Sequence, residues 1–142
     1  MMYADCVELR LRLGRKIFNE IYNCTDADTP VAAESDIAAA AAEVDGSLAS
    51  RYTLPVTTPR SLALLQDWTL TLAEERAYAR AAGSNYAEKV KGRVEQVRKY
   101  LEKIQQDLFK LPDAAEKRDS SSRIAVRHGE SAVFGRDNMK DF

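Results

Sequence analysis

The chain has 142 residues, 45% of them apolar, with 21 basic residues set against 22 acidic ones. That length fits one domain with a buried core and excludes a second, catalytic domain, while the cancelled charge excludes the global positive field that drives non-specific nucleic-acid binding. No run approaches the roughly 20 apolar residues of a membrane span, and the N-terminus lacks the basic-then-apolar order of a signal peptide, so a cytoplasmic origin is expected.

Asp5 followed by Glu8 matches a capping box, and Val7, Leu9, Leu11 and Leu13 precede Gly14, a helix terminator, which predicts a short first helix. Ile17, Phe18, Ile21 and Tyr22 have helical spacing and predict one or two further turns lying over the main bundle. From Asn23 to Ala33 the pattern lapses into a polar loop. Asp26 and Asp28 supply only two carboxylates there, without the central Gly and distal Glu of a calcium loop, so the loop reads as solvated.

From Ser35 an Ala-rich helix places Ile37, Ala41, Val44, Leu48 and Tyr52 on one stripe. Alanine favours helix and leaves no bulky side chain, so neighbouring helices can approach closely, and this helix is expected to sit centrally. Pro55 and Pro59 bracket a short extended connection, since proline lacks the N–H a helix needs and disfavours α geometry before it. Arg60 to Ala82 then carries Leu62, Leu65, Trp68, Leu72 and Ala79, with Gly83 and Ser84 closing the segment and Asn85 opening the next.

The last predicted helix has Val90, Val94, Val97, Leu101, Ile104, Leu108 and Leu111 at alternating spacings of four and three, a heptad stripe. Its outer face holds Lys89, Lys91, Arg93, Glu95, Arg98, Lys99, Glu102, Lys103 and Asp107. A solvated face with intrahelical ion pairs is the simplest reading, and a basic excess facing an acidic partner is the alternative. Pro112 ends the periodicity, which divides the chain into a helical domain, 1–111, and a C-terminal arm, 112–142. Only ten of the arm's 31 residues are apolar, and its six acidic residues balance six basic ones. Ile124-Ala125-Val126 and Ala132-Val133-Phe134 are short β-compatible runs around His128-Gly129-Glu130. They suit a docking arm that adds strands to another protein; a disordered terminus with incidental apolar residues is the other reading.

The chemistry of catalysis is missing from the pattern. The six glycines are scattered singly and form no phosphate loop, and the only histidine is His128. Cys6 and Cys24 lack CxxC spacing and read as reduced packing residues. Glu74 and Glu75 are adjacent on a helix, which points them apart, and read as surface carboxylates. Ser120 to Ser122 lack a positioned base. No catalytic residue, cofactor or metal site is expected.

Met2-Tyr3-Ala4, Leu13-Gly14, the Asp-containing loop, the Ala-rich helix ending Asp45-Gly46-Ser47-Leu48-Ala49-Ser50-Arg51-Tyr52-x-Leu54-Pro55, and the Leu-rich helix after Pro59 occur in an order that resembles the Mu-like phage gp36 family. The resemblance covers about Met2 to Leu111 and is most specific from Leu48 to Pro55. It implies an all-α fold, a small bundle of four to five helices with an extended C-terminal arm. It also implies a non-catalytic head-tail connector that forms a homo-oligomeric ring, twelvefold, in the virion neck, assembled in the host cytoplasm. Its partners would be the portal protein above and a tail or stopper protein below, with DNA passing through the lumen without sequence-specific binding and no membrane involved. The loop is less rich in Asp and Gly than in many relatives, and the arm is long.

A ring repeats one heterologous interface, so each subunit needs two complementary faces and an extension that grips the next layer. From composition, Ile124, Val126, Val133, Phe134 and Phe142 are the candidate apolar anchors of that extension, and Arg123, Arg127 and Arg136 the candidate partners for carboxylates on the portal or a neighbour. Two other classes stay open: a small helical DNA-binding or regulatory protein using Lys89 to Lys103, and a coiled-coil module that dimerises through Val90 to Leu111.

Overall fold

The computed structural model describes residues 3–81 and 86–116. Among the described residues five helices follow one another: α1 (Cys6–Leu13), α2 (Arg15–Tyr22), α3 (Val31–Leu48), α4 (Pro59–Arg80) and α5 (Tyr86–Gln105). The fold is an all-α small bundle, and among the described residues the β-type pairing is one isolated antiparallel bridge between Tyr52 and Glu116. None of these helices is long and apolar enough to cross a membrane.

Local chemistry sets the first three helices. Asp5 caps α1 by accepting the Glu8 N–H at 2.9 Å, while the Glu8 side chain turns away from the cap to meet Gln66 on α4. Gly14 closes α1 and opens α2 at φ 93°, a conformation costly for any side chain, with its N–H on the Arg10 carbonyl and its own carbonyl receiving Phe18 N–H. Asn23, also left-handed, ends α2. Helix α3 begins at Val31, earlier than Ser35, because Pro30 presets the extended cap geometry and costs no helical N–H. At its far end the Arg51 and Tyr52 N–H groups both return to the Leu48 carbonyl, so regular helix stops at Leu48 although Tyr52 stays on the buried stripe.

The expected stripe of α3, Ile37, Ala41, Val44, Leu48 and Tyr52, is buried throughout, joined by Ala33 and Ala40. The central helix, however, is α4. A surface helix buries one stripe, whereas α4 is buried at every position from Trp68 to Glu74. It packs against α3, α5, α1 and α2, and so is enclosed on nearly all sides. Pro59 occupies its first turn instead of the connection, and Ala79 is exposed, with Ala73, Ala77 and Tyr78 facing inward in its place. Gly83, Ser84 and Asn85 lie outside the described residues.

Helix α5 buries Val90, Val94, Val97, Leu101 and Ile104 as its heptad requires, and there the register stops. Asp107 takes φ 60°, its N–H returning to Ile104 at 3.1 Å and the Leu108 N–H to Lys103 at 2.7 Å, a Schellman closure made without glycine. Leu108 is therefore 70% exposed instead of continuing the stripe. Leu111 does reach the core, but from a loop, where its N–H bonds the Tyr52 hydroxyl. The segment then stays on the bundle: the Ser61 hydroxyl donates to the Pro112 carbonyl, Arg60 pairs with Asp113, and Lys110 pairs with Glu116. The two β-compatible runs, Ile124 to Val126 and Ala132 to Phe134, lie outside the described residues.

Candidate interaction surface

Three charged clusters tie the helices together. Glu74, read from sequence as a surface carboxylate, is only 2% exposed. One helical step of about 100° separates it from Glu75, and on the enclosed helix α4 that step carries Glu74 inward. Its carboxylate meets Arg12 of α1 at 3.2 Å and Arg93 of α5 at 3.1 Å, and Arg12 also grips the Asp67 side chain and donates to the Asp67 carbonyl at 2.9 Å. Burial pushes the Glu74 carboxyl above the ordinary carboxylate range, and the two guanidiniums recover only part of that rise.

The second cluster is built on Asp36 of α3. It accepts two bonds from Arg80, at 2.7 and 2.9 Å, and one from the Tyr22 hydroxyl at 2.6 Å. Burial, then the bond to that carboxylate, raises the phenol of Tyr22. In the third, Arg98 of α5 reaches Glu43 of α3 at 3.0 Å and Glu75 of α4 at 2.8 Å, and both partners raise its guanidinium further. Arg93 and Arg98 therefore pair between helices, correcting the expectation of intrahelical pairs on a solvated face. A long side chain on the flank of α5 reaches the adjacent carboxylates more directly than it reaches along its own axis. Glu74 and Asp36 are both committed to protein partners, so their chemistry is that of locks between helices.

The face formed by α1, α4 and α5 carries two open grooves. Val7 and Leu11, four residues apart on α1, are 60% and 78% exposed, while Leu9 and Leu13 carry the packing. A groove of about 440 Å³ runs between α1 and α4 past Leu11, Ala63, Gln66 and Leu70. A second, of about 300 Å³, runs between α4 and α5 past Leu64, Trp68, Gln96 and Tyr100, and Arg12 with Asp67 stands between the two. The floor of the second is aromatic: Trp68 stacks on Tyr100 with centroids 5.7 Å apart, and Phe109 closes on both rings.

The loop acids are used locally. Asp28 accepts from the Thr25 N–H and hydroxyl, which holds its carboxyl below the usual range, and Asp26 accepts from Asn19 at 2.7 Å. Cys6 is buried and Cys24 half-buried, both as free thiols. The candidate arm residues Arg123, Ile124, Val126, Arg127, Val133, Phe134, Arg136 and Phe142 lie outside the described residues, as do His128 and Ser120 to Ser122. Sequence reasoning missed the locks on Glu74 and Asp36. The one available signal was that acids fall on helix positions flanked by core residues, Asp36 beside Ile37 and Glu74 beside Ala73.

The family model for Bacteriophage Mu, Gp36 matches residues 3–128, spanning every helix and a stretch beyond the last. The chain belongs to that family. No curated protein sequence matches it. Membership in the Mu Gp36 family points to a phage structural or morphogenesis protein. The match begins at Tyr3, whose hydroxyl donates to Asp45 of α3 at 2.6 Å.

Proposed function

We propose that this Mu Gp36 family protein is a non-catalytic head-tail connector, assembled as a twelvefold ring in the virion neck beneath the portal and above a tail or stopper protein, with DNA passing through its lumen. The observation that carries the reading is the family match over residues 3–128, which includes both the helical body and the first half of the C-terminal arm. The architecture supports it. Short helices are locked to one enclosed helix by ion pairs, leaving a stiff body whose outer faces differ from one another, as a heterologous ring requires. Of the alternatives, the coiled-coil module has its Val90 to Ile104 stripe buried within the subunit, and a DNA-binding use of Lys89 to Lys103 has Arg93 and Arg98 already bound to Glu74, Glu43 and Glu75.

The test is co-purification with the portal protein, comparing the full chain with one ended after Glu116. Residues Leu111 to Glu116 are strapped to Tyr52 and α4, so a cut after Leu111 would damage the body as well as remove the arm. Capture by the full chain and its loss on truncation is the expected result. Equal capture by both would eliminate the arm as the docking element, and no capture by either would remove the connector reading.

A further inference from the structure

Helix α1 keeps an apolar side that the bundle does not cover. Val7 and Leu11 stand exposed on it, and Leu11 continues into the groove against Ala63 and Leu70 of α4. The charged side chains lining that groove are Glu8, Asp67 and Arg12, and Arg12 also pairs with the buried Glu74, so acids outnumber the base. A segment with branched apolar side chains and positive charge beside them fits such a groove.

The chain itself contains one. The arm balances its charges as a whole, but residues 117–127 hold four basic residues and one acidic one, whereas residues 129–142 hold two basic and three acidic. Ile124 and Val126 lie in the basic half, between Arg123 and Arg127. The family match runs past Glu116 to His128, so it takes in this half together with the helical body and leaves out Ala132 to Phe134.

The described chain also ends near the groove. Asp113 pairs with Arg60 at 3.7 Å, and Arg60, Ala63 and Asp67 share one side of α4 by their spacing of three and four. Glu116 is held at the same end of the bundle by Tyr52 and Lys110. From Arg60 to Leu70 is about 15 Å along the helix axis. Ile124 follows Glu116 by eight positions, which span up to about 27 Å when extended, enough to reach the groove with slack.

We propose that residues 117–127 fold back over the body of their own chain, seating Ile124 and Val126 in the groove against Leu11 and Leu70, with the flanking arginines toward Glu8 and Asp67. A tethered segment meets its seat at high effective concentration, so modest apolar burial holds it there. Residues 129–142 then form the part of the arm left for a partner. The inference goes beyond the connector reading and does not depend on it.

The full chain carrying Leu11→Cys and Val126→Cys, oxidised gently in air and digested, tests it. Peptide mass analysis should find positions 11 and 126 joined, in protein that runs as a monomer without reductant. The native thiols are less accessible, Cys6 being buried and Cys24 half-buried, and any link to them is identified by its peptide. Adding Ile124→Asp leaves the tether length unchanged and should slow the cross-link about tenfold or more, because a carboxylate does not enter an apolar seat. Circular dichroism should show the helices intact in each variant, since Leu11 is exposed. An absent cross-link, or one whose rate ignores Ile124→Asp, overturns the proposal. Positions 11 and 126 joined only in covalent dimers overturn it as well, by placing the arm in a second copy's groove. Portal capture is read separately, so each reading can fail alone.

Discussion

The Tyr52 hydroxyl accepts the backbone N–H of Leu111 at 2.9 Å in the buried interior, joining the chain just after α3 to the chain just after α5 across 59 positions. Tyr52 thereby organises the end of the bundle where the connection between α3 and α4 meets the chain returning after α5, and its backbone also pairs with Glu116. Replacing Tyr52 by Phe keeps the ring and strands the N–H, which should cost about 1–3 kcal/mol. Urea unfolding measures this directly; a loss below about 0.5 kcal/mol would mean that the bond contributes little.

Ile104 and Leu108 occupy adjacent turns of the sequence heptad but opposite environments. Ile104→Ala should cost about 2–5 kcal/mol, while Leu108→Ala should stay within about 0.5 kcal/mol. Equal losses in urea would restore a continuous stripe through Leu108 and contradict the Schellman closure at Asp107.

The buried Glu74 makes stability depend on pH. Its folded carboxyl holds a proton more readily than the unfolded one, whose ordinary value is 4.5. The stability it contributes is therefore complete below that value and is lost as pH rises through the higher folded value. Glu74→Gln cannot lose a proton, so its stability relative to wild type should improve between about pH 4 and pH 7. A constant difference across that range would show that Arg12 and Arg93 fully offset burial. At neutral pH, Glu74→Ala should cost about 2 kcal/mol, less than the roughly 3–5 of a wholly buried pair, because both arginines reach water.

Asp36 ties α2, α3 and the end of α4 through Tyr22 and Arg80. Asp36→Asn places an amide donor among donors and should cost about 1.5–3 kcal/mol, with a smaller loss for Tyr22→Phe. Amide exchange should quicken in α2 first, since α2 buries one residue, Phe18, fully enough to anchor it otherwise. Uniform acceleration over all helices would instead make Asp36 part of the global core.

The apolar periodicity exposed the stripes of α3 and α5 because each buries one face, and one-sided burial leaves a period to read. It concealed α4, where enclosure removes the period: Leu64, Leu65, Trp68, Leu70 and Leu72 point in several directions and all find partners. Capping chemistry announced Asp5 and Gly14, but the end of α5 uses Asp107 in the left-handed region, where glycine would have been the visible signal. The ion-pair locks were illegible for a different reason. Whether Arg93 meets Glu74 depends on how α4 and α5 are placed in space, which spacing within one helix does not contain. For the candidate surface, the basic excess of α5 was readable, while the inward turn of Arg93 and Arg98 was not.

Trp68 is the only tryptophan, and it packs with Tyr100 of α5 and Phe109 beyond it in one three-ring cluster. Its emission consequently reports the seam where α4 meets α5 and the returning chain, a groove that Arg12 of α1 also lines. A fluorescence transition that coincides with one followed by circular dichroism would show this seam parting together with the helices, an event the molecule can display without any added label.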